Sequence, residues 1–102
     1  MTENKEVTTS SVVVSSDNVT STQIEGESIL LDLEEGVYYG LNSVGGAIWE
    51  EIQEPMLIED IVRAITNTYD VERGQCREDV LALVADLEEN GLVDVRDEEP
   101  SA

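Results

Sequence analysis

The sequence contains no histidine and only one cysteine, Cys76. Without histidine the usual general base near neutral pH is missing, as are the commonest metal ligand and every Ser-His or Cys-His nucleophile pair. A single cysteine excludes an internal disulfide. Positive charge is scarce too: Lys and Arg number 5 against 24 Asp and Glu, for a formal net charge of -19, and Lys5 is the only lysine. Such a surface repels phosphate backbones and anionic membranes, so neither nucleic acid nor a lipid surface is the expected partner. No apolar run approaches the roughly 18 residues of a membrane span, and Met1 to Glu6 shows no basic region followed by an apolar core. The expectation is a soluble cytoplasmic protein that is not an enzyme and holds no metal or cofactor. Its charge favours a basic or neutral peptide or protein as partner. The same acidic, lysine-poor composition also suits a saline cytoplasm.

What is present fits one small domain. A chain of 102 residues has room for one modest core. Residues 1–18, rich in Thr and Ser, are expected to be mostly mobile, although Val12, Val13 and Val14 could add a small strand. Residues 19–95 carry the fold, and 96–102 form an acidic tail.

Three strand-like pieces open the domain. Val19 to Ile24 is rich in β-branched residues, and Glu25-Gly26-Glu27 is a turn. Ser28 to Leu33 reads as a mostly buried strand, and Glu34-Glu35-Gly36 connects it to Val37–Leu41, with Gly36 placed for positive φ. Helical patterns follow. Asn42 or Ser43 can cap a helix in which Val44, Ala47, Ile48 and Ile52 recur at helical spacing, with Gly45 and Gly46 permitting close packing on the sheet and Pro55 ending it. Ile58, Ile61, Val62, Ile65 and Tyr69 mark a second helix. Cys76, Val80, Leu83, Val84 and Leu87 mark a third. Asn90-Gly91-Leu92 has the form of a Schellman ending that packs Leu92 onto Leu87. Leu92 to Val95 then reads as a short extended piece. Strands followed by helices predict an α+β domain: a three-stranded antiparallel sheet followed by three helices, winged-helix-like in its second half.

The run Leu30-Leu31-Asp32-Leu33-Glu34-Glu35-Gly36-Val37-Tyr38-Tyr39-Gly40-Leu41-Asn42, continued by Gly46-Ala47-Ile48-Trp49, resembles the PqqD-like family of recognition elements for ribosomally made, post-translationally modified peptides. Tyr69-Asp70-Val71 and the acidic third helix ending in Asn90-Gly91-Leu92 also fit. Within that family the chain is most similar to the stand-alone leader-binding proteins of lasso-peptide biosynthesis. It departs from the pattern at Met56-Leu57, where a Ser, Thr or Asp helix cap is usual. The resemblance implies that the leader segment of a precursor peptide adds as a strand to the edge of Val37–Leu41 and lies against the third helix, for presentation to a separate leader peptidase or other modifying enzyme. Main-chain hydrogen bonds then give affinity and side-chain pockets give specificity. The residues support such an edge independently, because Val37–Leu41 holds no Pro, Lys or Arg to blunt strand pairing.

The candidate peptide-binding residues are therefore Val37, Tyr38, Tyr39, Gly40 and Leu41 on the strand, and Asp79, Val80, Leu83, Val84, Asp86 and Leu87 on the helix. Alternation with Leu41 turns Tyr39 inward and Tyr38 outward or toward the peptide. Val80, Leu83, Val84 and Leu87 are core by periodicity, with one or two also facing the groove. Asp79 and Asp86 could pair with basic leader residues, or form a solvated face in which exposed pairs contribute only about 0–1 kcal/mol. Trp49 reads as a core or domain-edge residue, and Cys76 as a small buried hydrophobe.

Three other readings compete. A winged-helix DNA-binding protein needs a basic recognition helix, but Arg77 stands against Glu78, Asp79, Asp86, Glu88 and Glu89. An acyl or peptidyl carrier protein is also small and acidic, and Leu41-Asn42-Ser43-Val44 superficially resembles a phosphopantetheine site. Three strands ahead of that serine contradict an all-helical carrier. Within the recognition-element reading, the alternative is a PqqD-type peptide chaperone for a radical enzyme, as in pyrroloquinoline quinone biosynthesis.

Overall fold

The computed structural model describes residues 7–97. Along the chain run β1 (Ser11–Ser15), β2 (Val19–Ile24), β3 (Glu27–Asp32), β4 (Val37–Leu41), α1 (Ser43–Glu51), β5 (Met56–Leu57), α2 (Ile58–Thr68), α3 (Arg73–Glu89) and β6 (Val93–Asp97). The strands form two antiparallel three-stranded sheets, ordered β2-β3-β4 and β5-β1-β6. The mixed α+β class agrees with the sequence reading, but the architecture corrects it: a second sheet exists, built from β1 ahead of the first sheet, β5 between α1 and α2, and β6 after α3.

The first sheet is built from consecutive hairpins. Glu25 and Gly26 both take positive φ, 52° and 84°, the geometry of a tight two-residue turn whose twist matches the strands. Gly36, also at positive φ, closes the β3–β4 connection. That loop is organised by buried Asp32, whose Oδ1 accepts from the main-chain N–H of Glu34 and Glu35 and from Asn18 Nδ2, at 2.9–3.1 Å. The Glu35 N–H foremost holds the Asp32 carboxyl below its ordinary value, against the opposing effect of burial.

The second sheet draws on distant parts of the chain. β1 pairs with β5 through Val12–Leu57 and Val13–Met56, and with β6 from Ser11–Asp97 to Ser15–Val93. Val13 is fully buried. Within the segment 1–18, the small strand offered at Val12–Val14 is present as β1, the central strand of this sheet; residues 1–6 lie outside the described residues. At the other end, Arg96 and Asp97, the first residues of the expected tail over 96–102, belong to β6, while 98–102 lie outside the described residues.

β1 also explains the missing cap at Met56-Leu57. Those residues are β5, and α2 has no side-chain cap. The main-chain carbonyl of Thr9 accepts from the Glu59 N–H at 3.2 Å instead, satisfying one of the orphan donors of the first turn. At the end of β1, the N–H of Ser15 donates to the Ile52 carbonyl and that of Ser16 to the Leu92 carbonyl. One short segment therefore ties together the start of α2, the end of α1 and the exit from α3.

The core lies between the helices and one face of each sheet. Leu30, Leu41, Ile48, Trp49, Ile52, Ile58, Ile61, Val62, Ile65, Cys76, Val80, Val84, Leu87, Leu92 and Val93 are all buried. Burial raises the Cys76 thiol above its ordinary range, with the Asp79 charge adding to the effect. α1 is capped by Asn42, whose Oδ1 accepts from the Gly45 N–H at 2.8 Å. It sits so close to β3 that a Cβ on Gly46 would fall 2.5 Å from Ser28 Oγ. At the end of α3 the Leu92 N–H donates to the Leu87 carbonyl at 2.9 Å and the Gly91 N–H to Glu88 at 3.0 Å, with Gly91 at φ 74°, the two bonds of a Schellman motif.

Candidate functional site

β4 lies at the edge of its sheet, paired on one side only, with β3, in the register Leu30–Tyr39 and Leu31–Tyr38. Among the described residues no strand pairs with its other side, whose main-chain donors and acceptors are a template for another strand. Alternation sends Tyr39 and Leu41 toward the helices, where Leu41 is buried and Tyr39 half-buried. Tyr38, at 72% exposure, turns to the opposite face.

Beside this edge runs an open groove of about 380 Å³, walled by Tyr39, Gly40 and Leu41 of β4, by Val44 and Ile48 of α1, and by Val71, Asp79 and Leu83. The structure thus brings the strand residues and α3 together as the sequence suggested, but it sorts the helix residues. Leu83 and Asp79 face the groove. Val80, Val84 and Leu87 are buried in the core and do not. The reason is helical phase: 76, 80, 84 and 87 form the stripe against the core, while 79, 83 and 86 lie a fraction of a turn round, toward β4. Asp86 is held by the fold itself, because the Tyr39 hydroxyl donates to its Oδ2. That hydrogen bond to a carboxylate, with burial and the carboxylate's charge adding, pushes the Tyr39 phenol up to about 12. Asp79 is exposed and accepts from Gln75 Nε2 at 3.0 Å.

Sequence reasoning missed Val71, Val44 and Ile48 as groove walls. Val71 alone carried a signal, a large apolar side chain just outside a helix and 39% exposed. The charges around α3 are also segregated. Arg63, Arg73 and Arg77, three of the 5 cations, surround a separate pocket with Thr9, Glu59 and Val62, and among the described residues no cation lines the groove. Among the described residues no set of three or more His, Cys, Asp or Glu has metal-holding geometry, and no helix is long and apolar enough to cross a membrane.

An α+β domain with an open edge strand, flanked by an apolar groove whose charged wall is acidic, defines a class of protein that can take up an extended chain. The comparisons give the family: the model for coenzyme PQQ synthesis protein D (PqqD) matches residues 27–93, about two thirds of the sequence, and the chain belongs to the PqqD family. Among solved structures it is similar to TbiB1 in complex with the TbiA(beta) leader peptide, at 36% identity and a TM-score of 0.72 over 79% of this chain and 94% of that one. It is also similar to a lasso peptide synthetase B1 complexed with its leader peptide, at 28% identity and a TM-score of 0.71, covering 80% and 96% of the two chains. No curated protein matches the sequence.

Proposed function

We propose that this protein binds the leader segment of a ribosomally made precursor peptide, in lasso-peptide biosynthesis, and presents it to a separate leader peptidase or other modifying enzyme. The observation that carries the reading is the unpaired edge of β4 lying alongside the groove that Leu83, Val71 and Ile48 line. Two solved leader-peptide complexes of similar fold support it. The leader pairs with Val37, Tyr38, Tyr39, Gly40 and Leu41 as an added strand, and its alternate side chains enter the groove. Asp79 attracts a basic leader residue. The protein performs no chemistry itself, and works in the cytoplasm beside the enzyme it serves. The succession of α2, α3 and β6 gives its second half a winged-helix-like order. The PqqD-type alternative, service to a radical enzyme, rests on the family match alone.

Titrating a labelled leader peptide against wild type and Leu83→Glu tests this. A charge introduced into a half-buried groove wall should weaken binding about 10–100-fold, the equivalent of about 1.4–2.7 kcal/mol, with the circular dichroism spectrum unchanged. Wild-type affinity in the folded variant would place the leader elsewhere.

A further inference from the structure

The sheet β2-β3-β4 has a second face, opposite α1, that no helix covers among the described residues. α1 packs on the side of Ser28, where Gly46 approaches. On the other side the register aligns Thr20, Leu31 and Tyr38, and then Thr22, Ile29 and Gly40. A Cβ on Gly40 would lie 3.9 Å from Ile29 Cδ1, which places both on this side. Leu33 continues the row, its N–H donating to the Asn18 carbonyl. β3 and the residue just after it therefore place half-buried Ile29 and Leu31 and exposed Leu33 in succession on this face, flanked by Tyr38 and Ile24. Leu33 is 62% exposed and Ile24 57%.

A half-solvated antiparallel sheet ordinarily alternates apolar and polar residues. β3 does not: Leu30 is buried on one side while half-buried Ile29 and Leu31 lie on the other, with Leu33 just beyond the strand, the pattern of a strand covered on both faces. The rim has one sign of charge. Asp17, Glu25, Glu27, Glu34 and Glu35 are all exposed at the ends of this sheet, and no Lys or Arg occurs between Lys5 and Arg63. A second copy of the chain would bring like rims together, which costs association free energy.

The geometry points to this face as the docking surface for the enzyme that receives the leader, through a patch on that enzyme with an apolar centre and a Lys- and Arg-bearing rim. The inference rests on the leader-binding reading but uses a different face of the sheet. The leader occupies the β4 edge and the groove, and the enzyme covers Ile29, Leu31 and Leu33 behind it. Tyr38 sits where the two meet.

The test uses the full-length protein, its leader peptide and the leader peptidase of the same pathway. Leu31→Ser/Leu33→Ser should leave leader affinity unchanged while weakening peptidase binding roughly tenfold or more. Glu34→Lys/Glu35→Lys should slow association with the peptidase while keeping leader affinity within a few-fold. Wild-type peptidase binding in the folded Leu31→Ser/Leu33→Ser variant overturns the proposal, as does sedimentation showing that this face joins two copies of the chain. Failure of the wild type to bind leader, with peptidase binding still sensitive to Leu31 and Leu33, would overturn the leader-binding reading and leave this surface standing.

Discussion

Tyr39 shows how one side chain can belong to both the fold and the site. Its ring lines the groove, and its hydroxyl reaches across to Asp86, 47 positions later. The phenol is held at about 12, above the ordinary 10. A group raised on folding contributes stability that is fully present below its unfolded value and lost as pH rises through the folded one. Denaturant midpoints should therefore decline between about pH 10 and 12. Absorbance titration should show one tyrosine ionising near 12, and Asp86→Asn should move it back toward 10. An unchanged late tyrosine in Asp86→Asn would assign the shift to burial alone. The sequence offered Asp86 as a partner for the leader. That its Oδ2 accepts from Tyr39 could not be read from it, because a contact spanning strand and helix leaves no local pattern.

At the scale of elements, the local signals read correctly are those with short-range causes. Gly36 and Gly91 sit at positive φ, Asn42 caps α1, and the 3.6-residue periods mark α2 and α3. The close approach of α1 to β3 makes a sharp prediction. Gly46→Ala should cost about 1–3 kcal/mol by overpacking, since its Cβ meets Ser28 Oγ at 2.5 Å but Ser28 Cβ only at 3.4 Å. Adding Ser28→Ala should recover most of that loss in urea denaturation. Additive losses in the double variant would mean that the contact is not the cause. The β4 edge is tested by Val37→Pro and Tyr39→Pro, each of which removes a main-chain donor and distorts the strand. Either should abolish leader binding in a protein that circular dichroism shows still folded; full affinity there would sink strand addition. What the sequence left illegible was the second sheet. β5 is two residues long, too short for any period. Val12–Val14 and Val93–Val95 each look like a marginal strand, and only their mutual pairing makes them a sheet. The groove was half legible for a related reason: spacing identified the apolar stripe of α3 but not its phase, so Val80, Val84 and Leu87 could not be separated from Leu83.

At the scale of the whole molecule, the net charge of -19 and the groove should act on different rates. Attraction between exposed charges weakens as the Debye length falls from about 10 Å at 0.1 M salt to about 3 Å at 1 M, whereas strand pairing and apolar burial persist. Raising salt should therefore slow association with a basic leader and leave dissociation nearly unchanged, while Leu83→Glu mainly speeds dissociation. Stopped-flow binding across a salt series separates the two. Salt acting chiefly on dissociation would mean that surface charge holds the ligand. The position of β1 between β5 and β6 also has a consequence for the order of events during synthesis. The hairpins of β2, β3 and β4 can close as soon as they leave the ribosome, because each strand pairs with its neighbour in sequence. β1 leaves before all of them, yet it cannot complete its ladder until the last strand, β6, has followed α3 out. A nascent chain stopped before Val93 would hold a peptide-accepting edge on an unfinished domain, because β1 would still lack its pairing with β6.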